Sequence, residues 1–182
     1  MRLFIAIDLS DAVKNQLEAL RADIPGANWV RRSAYHLTLR FLGDDIAEDR
    51  LPVIRKQLEL VKADPFELSL RGVGCFPSGG RKPARVLWVG VKSPPALQVL
   101  YGQVERAVLA AGFEEEDRPF TPHITLARLR LPRVEREVSR FLQRYEQFQS
   151  EAFPVSEFVL YSSVLTPQGA EYTPLLKVPL RG

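Results

Sequence analysis

Histidine occurs twice in these 182 residues, and both times it opens the same four-residue pattern, His36-Leu37-Thr38-Leu39 and His123-Ile124-Thr125-Leu126. Alternating polar and apolar residues specify a half-buried strand, because successive side chains on a strand point to opposite faces. Leu37, Leu39, Ile124 and Leu126 are thereby assigned to a core. Each histidine shares the opposite face with a threonine about 6.5–7 Å further along. A single histidine is most simply a surface or hydrogen-bonded core residue. Core packing, however, gives no reason to repeat His-x-Thr while using histidine nowhere else.

The elements around the two patterns follow one order. The apolar run Leu3–Ile7 is expected to be a strand buried on both faces. Ser10 or Asp11 caps a helix carrying Val13, Leu17 and Leu20, which Pro25-Gly26 ends. The first His-x-Thr strand spans 35–42. Leu51, Ile54, Leu58 and Val61 then mark an amphipathic helix over 47–63, and a strand follows over 65–76. The second half brings a strand at 85–91, a helix over 94–111 and the second His-x-Thr strand. A helix over 134–145 and strands at 153–161 and 172–178 complete it.

Strand, helix, His-strand, helix, strand thus occurs twice. His36 and His123 are 87 positions apart (123 − 36), as are Phe66 and Phe153 (153 − 66). This predicts a single bilobal domain over 1–182 built from pseudo-repeats at about 1–80 and 84–180, with a pseudo-twofold setting the two His-strands across a shared cleft. Alternating elements alone also fit one doubly wound sheet. The stretch 77–83, Pro-Ser-Gly-Gly-Arg-Lys-Pro, is a loop by composition and the candidate lobe connection or flap.

The net charge of +3 suits an anionic ligand but falls short of a dedicated nucleic-acid binder. Nineteen arginines stand against six lysines, through compositional bias or through phosphate recognition by a planar donor fork. The lone Cys75 permits no intramolecular disulfide, which predicts a reducing compartment. The apolar start is too short for a signal-peptide core, and no apolar run approaches the roughly 18–20 residues that span a bilayer. The expectation is a monomer in the cytoplasm, without a membrane partner.

Two imidazoles in one cleft can divide proton transfer, one accepting and the other donating. Such a pair fits in-line displacement at phosphorus, with Thr38 and Thr125 hydroxyls on the non-bridging oxygens. No cofactor or metal is expected. Catalytic zinc sites commonly use three protein ligands, and two histidines, one cysteine and no His-Glu-x-x-His or Cys-x-x-Cys spacing do not supply them. Cys75 reads as a buried strand-end thiol and Glu114–Asp117 as a solvated acidic loop.

The segments His-Leu-Thr-Leu-Arg-Phe-Leu-Gly at 36–43, Phe-Pro at 76–77, Arg-Val-Leu-Trp-Val-Gly-Val at 85–91 and Thr-Pro-His-Ile-Thr-Leu-Ala-Arg at 121–128 resemble the 2H phosphoesterases. Within these, the match is to the bacterial and archaeal RNA 2′,3′-cyclic phosphodiesterases, also called 2′-5′ RNA ligases. The resemblance runs from the Met-Arg-Leu-Phe-Ile-Ala-Ile start to the final strand. It implies an α+β, two-lobed fold of mainly antiparallel sheets facing a central cleft, with helices outside.

It further implies metal-independent hydrolysis of a terminal 2′,3′-cyclic phosphate, on RNA or a nucleotide, to a 2′-phosphomonoester. His36 would be the proton donor to the leaving 3′-oxygen, His123 the acceptor that activates water, and Thr38 and Thr125 phosphate ligands. The spacing alone assigns neither role. Arg128 matches a basic family position, yet strict alternation puts it on the core side and Arg40 on the face of His36 and Thr38. Either the strand ends before Arg128 or Arg40 faces the phosphate. Phe4, Trp29, Phe76 and Phe120 are candidates to stack on a nucleobase. The alternatives are joining of tRNA halves by the reverse reaction, a different cyclic or 2′-5′ substrate, and a module that binds RNA ends without turnover.

Overall fold

In the computed structural model, which describes residues 1–182, nine strands form two sheets and every pairing is antiparallel. The strands are β1 (Arg2–Asp8), β2 (Ala27–Trp29), β3 (His36–Gly43), β4 (Phe66–Phe76), β5 (Val86–Lys92), β6 (His123–Leu129), β7 (Phe153–Val155), β8 (Glu157–Thr166) and β9 (Gly169–Pro179). The helices are α1 (Asp11–Glu18), α2 (Leu51–Glu59), α3 (Pro95–Ala110) and α4 (Glu135–Arg144). One sheet has the order β3-β1-β8-β9 and the other β2-β6-β5-β4-β7. The architecture is α+β, and the doubly wound alternative fails because no strands pair in parallel.

Local chemistry explains most boundaries. The Ser10 hydroxyl accepts a hydrogen bond from the Val13 amide at 3.3 Å and so caps α1. Helix α2 is shorter than its periodicity suggests, because Glu48–Arg50 forms a 3-10 turn ahead of it. The run 153–161 is not one strand. Phe153–Val155 pairs with β4, whereas Glu157 onward pairs with β9 and, from Val159, with β1. The chain changes sheets at Ser156. Pro154, which has no amide to donate, is tolerated because β7 is an edge strand.

Each sheet takes strands from both halves of the sequence. The strands β3 and β1 are joined by β8 and β9, while β6 and β5 are joined by β4. A single cluster of 40 buried residues, from Leu3 to Leu180, fills the interior, so the two sheets share one continuous core. The stretch 77–83 joins β4 to β5, neighbours in one sheet, and is therefore a hairpin loop and not a connection between sheets.

The two histidine strands carry the same irregularity. In β3, Ala6 pairs with Thr38 but Ile5 pairs with Arg40, so Leu39 is an extra residue. In β6, Trp88 pairs with Thr125 but Leu87 pairs with Ala127, so Leu126 is extra. These are β-bulges, and each shifts the inward–outward phase of the residues after it. The bulged residues are 87 positions apart (126 − 39), like the histidines. Consequently Leu39 and Arg40 are both buried, Leu126 and Ala127 are both buried, and Phe41 and Arg128 turn to the face of the histidines.

Arg40 therefore does not face a phosphate. It is 6% exposed, with Nη1 donating to Glu105 Oε1 and Oε2 of α3 at 2.9 and 2.6 Å. Its Nη2 donates to the Glu114 carbonyl at 2.5 Å, and Nε lies 3.5 Å from Glu116 Oε1. The acidic stretch 114–117, expected to be merely solvated, is anchored through this guanidinium. Removing one member of a buried pair strands the other charge. Glu105→Ala is expected to cost about 3 kcal/mol in urea unfolding, and the double variant Arg40→Met, Glu105→Leu is expected to recover most of it. An equal loss in the double variant would show that the pair itself, not an isolated charge, sets the cost.

Candidate active site

Strands β3 and β6 approach one another, and between the sheets lies a cavity of about 610 Å³. His36, Thr38, His123, Thr125 and Arg128 all line it. Alternation places the two His-x-Thr pairs there: Leu37, Leu39, Ile124 and Leu126 are at most 2% exposed on the opposite side, in the core. Both pairs thus open onto one space. A phosphate held there would meet two imidazoles, two hydroxyls and a guanidinium.

The two histidines occupy different surroundings. The His36 ring stacks on Phe4 at 4.8 Å between centroids and meets the edge of Tyr172 at 5.0 Å. Its Nδ1 is buried and has no hydrogen-bond partner. Burial pushes its pKa down from 6.5 to about 4, against the smaller opposing pull of the nearby Ala34 backbone and the Asp8 carboxylate. His36 is therefore neutral at pH 7 in the empty cavity.

His123 is held differently. Its Nδ1 donates to the Thr121 carbonyl at 2.8 Å, which fixes the tautomer of the neutral ring and leaves the Nε2 lone pair free to accept a proton. Phe76 meets the ring edge-on at 5.1 Å, and Trp88 lies at 6.2 Å. Trp88 in turn occupies the space beside Gly74, where a β-carbon would lie 2.1 Å from the indole. Only glycine lets β4 approach so closely.

Among the candidate stacking residues, Phe4 lines the cavity; Trp29 borders it but packs its ring 5.9 Å from Phe141 on the core side, Phe120 stacks on Tyr101 at 4.1 Å and Phe76 supports His123. Several lining residues had no motif to mark them. Arg2 pairs with Asp44 and lies over the Phe41 ring at 4.7 Å; Arg31 leaves β2 on an extended segment. Leu165, Gln168, Ala170 and Tyr172 come from the β8–β9 hairpin, which reaches across the opening. Register and hairpin placement bring these side chains in, and neither leaves a local sequence signal.

No grouping of three or more His, Cys, Asp or Glu side chains that could hold a metal ion occurs. Cys75 is half-buried near the end of β4, with burial raising its pKa. No helix is long and apolar enough to cross a membrane.

A family model described as the 2′-5′ RNA ligase superfamily matches residues 9–166. The chain is 33% identical to an Archaeoglobus fulgidus protein named RNA 2′,3′-cyclic phosphodiesterase, over 178 residues that are 96% of this chain and 98% of that one. A solved structure of a Thermus thermophilus protein matches at TM-score 0.77 and 34% identity, covering 100% of this chain and 99% of that chain. The structure of E. coli LigT complexed with 3′-AMP matches at TM-score 0.79 and 28% identity, covering 100% and 98%.

The lowered His36 pKa has a consequence for stability. The unfolded chain binds a proton at this ring near pH 6.5 and the native state only near pH 4. Stability is therefore full above the unfolded value and is lost as pH falls through that window, by about 3 kcal/mol in all. Urea midpoints measured from pH 7 to pH 4 are expected to fall more steeply in the wild type than in His36→Gln, and parallel curves would refute the burial argument.

Proposed function

This chain belongs to the 2′-5′ RNA ligase superfamily, and we propose that it opens the 2′,3′-cyclic phosphate at an RNA end to a 2′-phosphomonoester, without a metal ion. The observation that carries this reading is that both His-x-Thr pairs and Arg128 line one cavity. Relatives in the superfamily are named for this activity, the A. fulgidus protein among them.

In this reading His123 is the base. Its free Nε2 takes a proton from water as the water oxygen bonds to phosphorus, and its Nδ1–H bond to the Thr121 carbonyl steadies the imidazolium that forms. The P–O3′ bond breaks opposite the attacking oxygen. His36 gives its proton to O3′, leaving a 3′-hydroxyl and a 2′-phosphate. Thr38, Thr125 and Arg128 donate to the non-bridging oxygens, where charge accumulates.

The neutral state of His36 in the empty cavity fits a role as acid once charge balance is considered. Burial disfavours the imidazolium, but a phosphodiester anion beside it favours the charged form. Substrate binding therefore draws a proton from solvent onto His36, and that proton is the one transferred. The Phe4 and Tyr172 rings hold the His36 imidazole in place for that transfer.

His36→Ala and His123→Ala are each expected to lower kcat for a 2′,3′-cyclic phosphate substrate by at least about a hundredfold in excess chelator. Full activity in either variant, or activity abolished by the chelator, would overturn the reading. In the wild type, NMR titration of His36 should move from a midpoint near 4 to higher pH when a nucleoside 2′-monophosphate binds. An unmoved midpoint would deny His36 the donor role.

A further inference from the structure

The cavity holds more positive charge than a single cyclic phosphate would require. None of its 19 lining residues is Asp or Glu, and three are arginines. Arg2 is neutralised by Asp44, which leaves Arg31 and Arg128 without a carboxylate partner. A cyclic phosphodiester carries one negative charge, and Arg128, on the same strand face as His123 and Thr125, answers it. Arg31 remains over.

Its contacts with the rest of the fold are few. The adjacent Arg32 is tied down by Glu18 at 2.7 Å and by Asp11 at 3.4 Å. Arg31 is exposed, and its one hydrogen bond is a long one, 3.5 Å from Nη2 to the Ala170 carbonyl. On β2, Asn28 pairs with Arg128 and shares its face, whereas Trp29 pairs with the buried Ala127 and packs 5.9 Å from Phe141; Arg31 follows on extended chain and lines the cavity. An exposed guanidinium without a carboxylate partner on that lining is free to bind a second backbone phosphate.

We infer that Arg31 forms a subsite for the nucleotide on the 5′ side of the reacting one, binding the phosphodiester that joins them. The inference rests on the cyclic-phosphate reading and extends it: the preferred substrate is an oligonucleotide end and not a lone cyclic nucleotide. Arg31 is here a specificity residue that never touches the phosphorus being attacked.

The test compares a nucleoside 2′,3′-cyclic phosphate with the same nucleotide extended by one 5′ nucleotide, both with a free 5′-hydroxyl. The wild type is expected to favour the longer substrate in kcat/KM by about tenfold, and Arg31→Gln to bring that ratio close to one. Arg31→Lys keeps the charge and should restore most of the ratio. The salt dependence of log kcat/KM should be steeper for the longer substrate by about 0.7 in the wild type, and this excess should vanish in Arg31→Gln. A role only in propping the β8–β9 hairpin would not move that slope.

A wild-type ratio near one overturns the subsite while leaving the cyclic-phosphate reading standing. So does an equal loss on both substrates in Arg31→Gln, which would place Arg31 on the reacting phosphate. Failure of the wild type to open either substrate overturns both readings.

Discussion

One extra residue in each histidine strand decides what the cavity contains. Without the bulges at Leu39 and Leu126, strict alternation would turn Arg40 into the cavity and Arg128 into the core. With them, Arg128 joins His123 and Thr125, while Arg40 turns inward to an ion pair with Glu105 of α3. The same distortion thus puts a cation on the cavity lining in one strand and a buried anchor in the other. It recurs at the same 87-residue offset as the histidines (126 − 39).

Within this near-symmetric frame the two histidines are made chemically unequal. His36 lies against Phe4 and Tyr172 with an unpartnered Nδ1, and burial depresses its pKa, whereas a backbone carbonyl holds the His123 ring in one tautomer. Position 41, equivalent to Arg128 in the other half (128 − 41 = 87), is an exposed phenylalanine under Arg2. These differences determine which of the two rings is held neutral by burial and which is fixed in one tautomer.

The exchange of strands between the halves ties the site to the global fold. The sheet holding His36 is completed by β8 and β9 from the far end of the chain, and the sheet holding His123 by β4 from the first half. Strand β6 cannot separate without breaking its pairing with β2 of the first half, whereas β3, an edge strand paired only with β1, is held by the shared core. The β8–β9 hairpin contributes Tyr172 against His36 and Ala170 against Arg31. Its tip therefore links the environment of one catalytic candidate to the arginine left without a partner.

By itself the sequence determined most of the strands and helices, the core faces of the two His-x-Thr strands and the family. These depend on period-two and period-3.6 patterns, caps and a repeated motif, all local properties of the chain. The tertiary structure alone decided which arginine faces the cavity, that residues 153–161 split between sheets at Ser156, and that Arg2, Arg31, Phe41 and Tyr172 join the site. A bulge is a property of two paired strands and not of either one, and an ion pair between residues 40 and 105 exists only after the chain has closed. Information of that kind is absent from any window of sequence, because the energy that fixes it comes from contacts between distant segments.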